Sequence, residues 1–313
     1  MGYRRVSLIL IPGFAQSAIL ERERVFRSSY LVLFQLYSED GAGFNALRAS
    51  CDIIENVFFS RFIGREHALL ALRYGFRHLG SREALKELTK CIMRINEFTR
   101  AREVEFILTI NTHADPATGG VFYAPLSVAT LDALLDHVCD GIQFSRISRS
   151  MLFLLCCGGL VQHNSAEIKA TNDRFNVTFA FDAPSLDPIF ISNHFVTVIL
   201  EFSVFGREEI WWSLNRSASS EVLSHTAVYA AIEGKMFRIR SAPKRRRPNG
   251  EDIRCCEQVP KYVKCSDTQV TFRCVCPGHQ GARTFCIPLL LPEKDRRWIL
   301  GEMGHSRYMI DIV

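Results

Sequence analysis

The sequence has no apolar run long enough to span a bilayer, and it has little glycine and proline. A transmembrane helix needs about 20 consecutive apolar residues, and no stretch of the 313 residues approaches that length. Nineteen glycines and 11 prolines exclude a collagen-like or low-complexity chain. With 48% hydrophobic and 23% charged residues, the composition instead predicts a folded globular protein of one or two domains.

Several familiar functional signatures are also missing. The apolar stretch near the start is interrupted at Pro12-Gly13 and has no small-residue cleavage site, so it does not resemble a secretory signal. No Gly-x-Ser-x-Gly elbow occurs, which excludes an α/β-hydrolase, and no glycine-rich phosphate loop occurs, which argues against a nucleotide cofactor. We therefore expect a protein of the cytoplasm or nucleus that does not contact a membrane.

Positive charge and cysteine are both concentrated near the C-terminal end. Residues 241–313 hold 13 Lys or Arg against 8 Asp or Glu, whereas the first 240 residues hold 25 of each sign. Six of the 11 cysteines lie between Cys255 and Cys286. Both changes begin at a stretch rich in proline and arginine, which is typical of a linker. The sequence therefore predicts a main domain over 1–240, a basic linker over 241–250 and a Cys-rich module over 251–313.

Helical and strand patterns alternate along the main domain. Helical spacing or capping is found over 18–37, over 44–62, after Ser81, over 131–138 and over 187–202. Short apolar runs over 104–110, 151–155 and 177–181 predict buried strands. This alternation predicts an α/β fold, a three-layer α/β/α sandwich with a largely parallel sheet.

Two of the predicted strands are followed by reactive residues. His113 follows the strand over 104–110, and Cys157 follows the strand over 151–155. If these strands are parallel neighbours, both side chains emerge at the same edge of the sheet, where ligands bind in such folds. An imidazole beside a thiol can generate the thiolate, which is a strong nucleophile.

Small and polar residues surround this candidate pair. Gly158 and Gly159 would let a substrate backbone approach, and the backbone amide of Ala114, with that of Cys157, could stabilise a developing oxyanion. Asp115 either supports the histidine loop or caps a turn.

The two motifs resemble those of the caspase-like cysteine peptidases, which include caspases, metacaspases and CHAT domains. Thr112-His113-Ala114-Asp115 resembles the histidine motif, and Cys156-Cys157-Gly158-Gly159 resembles the cysteine motif. The resemblance implies a caspase-like sandwich and a cysteine endopeptidase, with His113 as the base and Cys157 as the nucleophile acting on a protein or peptide substrate. The chain also resembles a branch of basidiomycete fungal proteins with a Cys-rich tail.

Two positions depart from the family pattern. Ala114 replaces the motif glycine, and Leu155 stands where the family often has a polar residue that lines the substrate pocket. Without that residue there is no basis for predicting specificity for a basic or acidic side chain. The alternative is a catalytically silent relative whose zinc-binding tail contacts protein or nucleic acid.

The same residues also have simpler interpretations. Cys156 and Cys157 could end a core strand, because free cysteine is among the most buried residue types. His113 could be a loop histidine held by hydrogen bonds. Asp182 follows the strand over 177–181 and could either orient His113 or form a turn.

The Cys-rich module suggests a metal. In an intracellular protein such clustering favours zinc over disulfides, and four thiolate or imidazole ligands would hold together a module that is too small for a large core. The spacing is irregular, and free structural thiols are the alternative. The predicted ligand set is Cys256, Cys265, Cys274 and Cys276, with His279 as an alternate.

Four consecutive cations lie in the predicted linker. Lys244, Arg245, Arg246 and Arg247 stand between two prolines, which disfavour a helix across them. An extended cationic run is what an import receptor or a nucleic-acid backbone binds. The alternative is a solvated linker.

Overall fold

The computed structural model describes most of the chain. The described residues are 30–40, 43–203, 220–241, 248, 252–256, 258–266, 268–279, 281–289, 296–300 and 307–313. The cationic run Lys244–Arg247 lies outside them, as does the first part of the helix predicted over 18–37.

Six α-helices and 14 strands are found in the described part of the chain. The helices are α1 (Phe44–Arg61), α2 (Arg82–Thr99), α3 (Leu131–Cys139), α4 (Gly159–Ala170), α5 (Pro188–Ser203) and α6 (Ser220–His225). The first seven strands are β1 (Tyr30–Ser38), β2 (Leu69–Phe76), β3 (Val104–Asn111), β4 (Val121–Ala124), β5 (Ser127–Ala129), β6 (Ile147–Leu155) and β7 (Val177–Phe181). The others are β8 (Val228–Ile232), β9 (Lys235–Ser241), β10 (Lys261–Cys265), β11 (Gln269–Cys274), β12 (Arg283–Pro288), β13 (Arg296–Leu300) and β14 (Arg307–Ile312).

A nine-stranded sheet forms the centre of the molecule. Its order is β13-β14-β9-β8-β7-β6-β3-β1-β2. Five neighbouring strands, β2, β1, β3, β6 and β7, pair in parallel. The remaining strands, β8, β9, β14 and β13, continue the sheet with antiparallel pairing. Two smaller sheets complete the described strands: the hairpin β4-β5 and the antiparallel sheet β10-β11-β12.

Helices cover both faces of the large sheet. Successive residues of a strand point to opposite faces, so Phe153 and Leu154 of β6 belong to different clusters of buried side chains. One cluster includes side chains of α1, α5 and α6, and the other includes side chains of α2, α3 and α4. This arrangement confirms the predicted α/β sandwich around a mostly parallel sheet.

Most of the predicted elements of the main domain are confirmed to within one residue at each predicted end, and β6 begins four residues earlier than predicted. Two helix caps are confirmed in atomic detail. Ser81 Oγ accepts a hydrogen bond from the Ala84 amide at 3.1 Å, and Asp187 Oδ1 accepts one from the Ile189 amide at 3.0 Å. These caps satisfy amide groups that have no partner within the helix.

The predicted helix over 18–37 is wrong from Tyr30 onward. That part is β1, which lies between β2 and β3 and is buried along almost its whole length. A strand buried on both faces has a continuous apolar sequence, and apolar periodicity alone does not distinguish it from a buried helix.

The C-terminal residues divide between two sheets. Residues 251–313 were predicted to form one module, but of the strands described there β10, β11 and β12 form the small sheet and β13 and β14 do not. β14 pairs with β9, where Ile310 lies opposite Ile239, so β13 and β14 extend the large sheet. Apart from this ribbon, the proposed domain division stays a prediction.

No helix among the described residues is both long and apolar enough to cross a membrane.

Replacement of Phe153 by alanine should destabilise the fold strongly. The Phe153 ring is fully buried, stacks on Phe195 at 5.4 Å between ring centroids and meets the edge of Phe181 at 5.6 Å. The resulting cavity should lower the free energy of unfolding by about 3–5 kcal/mol in urea titrations. Phe59→Ala, at a ring 43% exposed, is the control and should cost less than about 1 kcal/mol. Equal losses would contradict the assigned core.

Candidate functional site

The predicted histidine and cysteine segments leave the sheet side by side. β3 and β6 are parallel neighbours, and Asn111 at the end of β3 is in register with Leu155 at the end of β6. Because parallel strands end at one edge, the residues that follow them meet there. The structure thus brings together the two segments that the sequence analysis singled out.

The Cys157 thiol lies against the backbone of Ala114, the residue after His113. Its sulfur is 3.3 Å from the Ala114 nitrogen, which donates to it, and 3.2 Å from the Ala114 carbonyl oxygen, to which the thiol can donate. The side chain is half-buried. The Ala114 amide, a predicted oxyanion donor, therefore faces the sulfur directly.

The His113 ring lies beside the start of α1. Its Nε2 is 3.5 Å from the position that a Cβ on Gly43 would occupy, and the residue is exposed. Its backbone is fixed, because the Phe122 amide donates to the His113 carbonyl at 3.0 Å. Within the described part of the chain, no hydrogen bond joins the His113 ring to Cys157. A base role would require the ring to turn from Gly43 toward the sulfur.

Asp115 stabilises the turn that follows the histidine. Its carboxylate accepts hydrogen bonds from the Thr118 hydroxyl at 2.6 Å and the Ala117 amide at 3.1 Å. These hydrogen bonds lower the pKa of Asp115. The turn is closed further by the Gly119 amide, which donates to the Asp115 carbonyl at 2.8 Å. Asp115 thus acts on the site through the shape of the loop.

Gly158 and Gly159 allow the loops to pack closely. A Cβ on Gly158 would lie 2.3 Å from the Asp182 carbonyl oxygen, and one on Gly159 would lie 2.6 Å from the Asp115 carbonyl oxygen. The Gly158 amide donates to the Ala183 carbonyl at 2.7 Å, so this amide already has a partner. Both glycines are needed for the approach of neighbouring backbone.

Asp182 lies at the same edge, after β7. Burial raises the pKa of its carboxyl group, and the nearby guanidinium groups of Arg238 and Arg240 partly oppose this shift. Gln162 Nε2 donates to Asp182 Oδ1 at 3.4 Å. Among the described residues, no hydrogen bond links Asp182 to His113.

The other thiols of the main domain are in environments that disfavour the thiolate. Burial raises the pKa of Cys51 and of Cys139 to about 12. Burial also raises the pKa of Cys156, which is fully buried, and of Cys91. These four thiols are protonated at neutral pH and are weak nucleophiles.

Sequence reasoning missed Asn111, which connects the site to α1. Its fully buried amide nitrogen donates to the Leu47 carbonyl at 2.9 Å and to the Ser50 hydroxyl. Asn111 lies two residues before His113, and α1 begins beside the His113 ring. The only sequence signal was a polar residue at the end of an apolar strand.

A cluster of cysteines and one histidine that could hold a metal ion lies in the Cys-rich segment. Its members are Cys255, Cys256, Cys274, Cys276 and His279. His279 Nε2 is 3.2 Å from Cys255 Sγ and 3.1 Å from Cys256 Sγ, and the two sulfurs are 3.9 Å apart. His279 also forms a group with Cys274 and Cys276.

Two tight turns bring these ligands together. Cys255 and Gln258 exchange backbone hydrogen bonds of 2.9 and 3.0 Å, and Cys256 between them adopts a left-handed φ of 51°. The His279 amide donates to the Cys276 carbonyl at 3.2 Å, which returns the imidazole to the thiols. The adjacent Cys276 thiol raises the pKa of Cys256 to about 12.

Cys265 lies outside this cluster, although the predicted ligand set included it. Cys265 pairs with Val270 at the start of β11, whereas Cys274 ends β11. Val270 and Cys274 are four residues apart along β11, which is a distance of about 13 Å in a strand. The Cys265 thiol instead donates to the Ser266 carbonyl at 3.1 Å. The cluster contains Cys255 instead of Cys265. The position of Cys255 next to Cys256 in the sequence was the signal for it.

No protein-family model matches the chain, and no curated protein matches it in sequence. The assignment of a function therefore depends on the geometry and chemistry of the described residues.

Gly158→Ala should destabilise the protein because the new methyl group would meet the Asp182 backbone. Such overpacking typically costs about 1–3 kcal/mol, measured as a shift in the urea unfolding curve. Gly278→Ala is the control, since its Cβ would meet no atom closer than 4.0 Å. A Gly158→Ala protein as stable as this control would contradict the close packing of the two loops.

Proposed function

We propose that the chain is a caspase-like cysteine endopeptidase in which Cys157 is the nucleophile and His113 the base. The observation that carries the proposal is the contact between the Cys157 sulfur and the backbone of Ala114, next to His113. Two segments 43 residues apart meet at the edge of the sheet where substrates bind in parallel folds.

The contrast among thiols supports Cys157 as the nucleophile. Cys51, Cys139 and Cys156 are buried and held protonated by desolvation. Cys157 is half-buried and follows the strand at the open edge. A thiol used in catalysis must be reachable by substrate and by a base.

The reaction would follow the usual order of cysteine acyl transfer. His113 takes the Cys157 proton, and the sulfur attacks the carbonyl carbon of a peptide bond. The resulting oxyanion receives a hydrogen bond from the Ala114 amide. This amide becomes available when the sulfur moves away from it to attack the substrate. The protonated imidazole gives its proton to the leaving amine, and water then hydrolyses the thioester to release the acid and restore the thiol.

The surrounding residues hold this arrangement in place. Asp115 fixes the turn that carries Ala114, and Gly158 and Gly159 let the cysteine segment approach that turn. The Gly158 amide donates to Ala183 and is therefore a poor oxyanion donor. The Ala114 amide is the better candidate.

One observation favours the alternative of a silent interaction module. The His113 ring rests beside Gly43, and both backbone groups of Ala114 contact the thiol. A site permanently in this arrangement would neither deprotonate Cys157 nor accept an oxyanion. The reactivity of Cys157 separates the two functions.

Cys157 should be the fastest-alkylated thiol of the main domain. With iodoacetamide at pH 7 and mass mapping, we expect labelling of Cys157 before Cys51, Cys91 or Cys139. His113→Ala should slow Cys157 labelling by about tenfold or more at pH 7, because the thiolate loses its imidazole partner. The variant's rate should then climb steadily with pH, as for a simple thiol.

The control is His163→Ala, at a histidine whose Nε2 contacts the Pro116 carbonyl at 3.0 Å. This variant should keep the wild-type rate of Cys157 labelling. Unchanged labelling in His113→Ala, or equal rates for Cys157 and the buried thiols, would support the silent module. Cleavage of a peptide library that Cys157→Ser abolishes would complete the case for a peptidase.

We also propose that the Cys-rich segment binds one structural zinc ion. Four thiols and an imidazole match the donors that zinc prefers. A tetrahedral zinc site places its sulfurs about 3.8 Å apart, close to the 3.9 Å between Cys255 and Cys256. Four of the five donors of the cluster would complete the site and link the turns to β11.

Removal of two cluster thiols should release this zinc. Protein purified without chelator should contain about one zinc per chain by elemental analysis, and Cys255→Ser/Cys256→Ser should contain nearly none. Cys265→Ser/Cys286→Ser removes the same number of thiols outside the cluster and should keep the metal. Metal-free wild-type protein, or equal zinc loss in both variants, would contradict the assignment.

A further inference from the structure

The small sheet of β10, β11 and β12 has two different faces. Residues paired across antiparallel strands point to the same side. One side packs into a small apolar core that contains Tyr262, Val270, Phe272, Phe285 and Ile287. The other side holds Lys261, Lys264, Arg273, Thr284 and Cys286, all exposed. We call this second side the cationic face.

Two of the cations lie directly opposite each other. Lys261 of β10 pairs with Arg273 of β11, and Lys264 pairs with Thr271. Like charges opposite each other in a sheet are destabilising. Within the described part of the chain, none of these three cations makes an ion pair, and the face contains no acidic residue.

Protection of a sheet edge does not account for this arrangement. Lysines on an edge strand commonly prevent pairing with other chains, and Lys261 and Lys264 are on the edge strand β10. Arg273, however, is on the central strand, where no edge needs protection. An external anion that offsets the repulsion accounts for all three cations.

We propose that the cationic face binds the phosphate backbone of a nucleic-acid duplex. Three exposed cations on one side of a sheet are complementary to a row of phosphates, which lie on the outside of a duplex. Proteins that bind single strands use aromatic side chains to stack on bases, and the described residues of this face include no aromatic ring. The face therefore contacts the backbone without reading sequence.

This surface is distinct from the candidate peptidase site and does not use its chemistry. The face does not include the run Lys244–Arg247 of the predicted linker, which lies outside the described residues. Arg273 precedes Cys274 of the metal cluster, so the cluster anchors one end of the strand that carries it.

The test measures binding of the full chain to a short fluorescent DNA duplex between 50 and 200 mM salt. Three phosphate contacts contribute about −2.7 to the slope of log K against log salt, which is about a 40-fold loss of affinity over this range. The variant Lys261→Gln/Lys264→Gln/Arg273→Gln should reduce the magnitude of this slope by about 2.7. The charge-keeping variant Lys261→Arg/Lys264→Arg should retain it.

The matched control removes the same charge from α2. Arg82, Lys86 and Arg94 are exposed cations of that helix, and their replacement by glutamine should leave the slope unchanged. Zinc content and far-UV circular dichroism should be equal in all variants. A fourth variant changes Lys244–Arg247 to alanine and should leave the slope contributed by the face intact.

Several results would overturn the proposal. The first is a slope of log K against log salt that is unchanged in the triple variant of the face. The second is an equal reduction of this slope in the α2 control, and the third is a reduction found only in the linker variant. Tighter binding to the single strand, or to vesicles of anionic lipid, than to the duplex would also overturn it. None of these results depends on whether Cys157 is an active nucleophile.

Discussion

The parallel register of β3 with β6 is the constraint on which the candidate site depends. Asn111 and Leu155 lie side by side at the ends of these strands, so the next residues of each chain segment must leave the sheet together. The contact between Cys157 and Ala114 follows from that register. A shift of one residue would move each side chain to the opposite face of the sheet and would separate the histidine loop from the cysteine.

Close backbone packing then turns this adjacency into a defined geometry. Glycine at 158 and 159 permits approaches of carbonyl oxygens that no Cβ would allow. Asp115 closes the turn after the histidine, and Asn111 ties β3 to α1. The site is thus held by backbone contacts and buried amides, while His113 is exposed.

The Cys-rich segment has a small apolar core and a cluster of thiols and imidazole at one end. Among its described residues, four buried side chains form the core, which is little apolar burial for a three-stranded sheet. A cluster of thiols and an imidazole at one end of β11 offers the additional link that such a sheet needs. The opposite face is then free to carry cations that a hydrophobic core could not accept.

The sequence by itself determined the local elements and the residues of chemical interest. Apolar periodicity and capping residues located α1, α2, α3, α5, β3 and β7, because these signals arise within a few residues of chain. It also singled out His113 and Cys157 as residues that follow strands. Periodicity failed at β1, because a strand and a helix that are both fully buried have the same apolar composition. Only the tertiary structure decided which strands are neighbours, that β13 and β14 return to the large sheet, and that Cys255 rather than Cys265 joins the cluster of thiols and imidazole that could hold a metal ion. Those outcomes depend on strand order and register, which join residues far apart in the chain and leave no trace in local spacing.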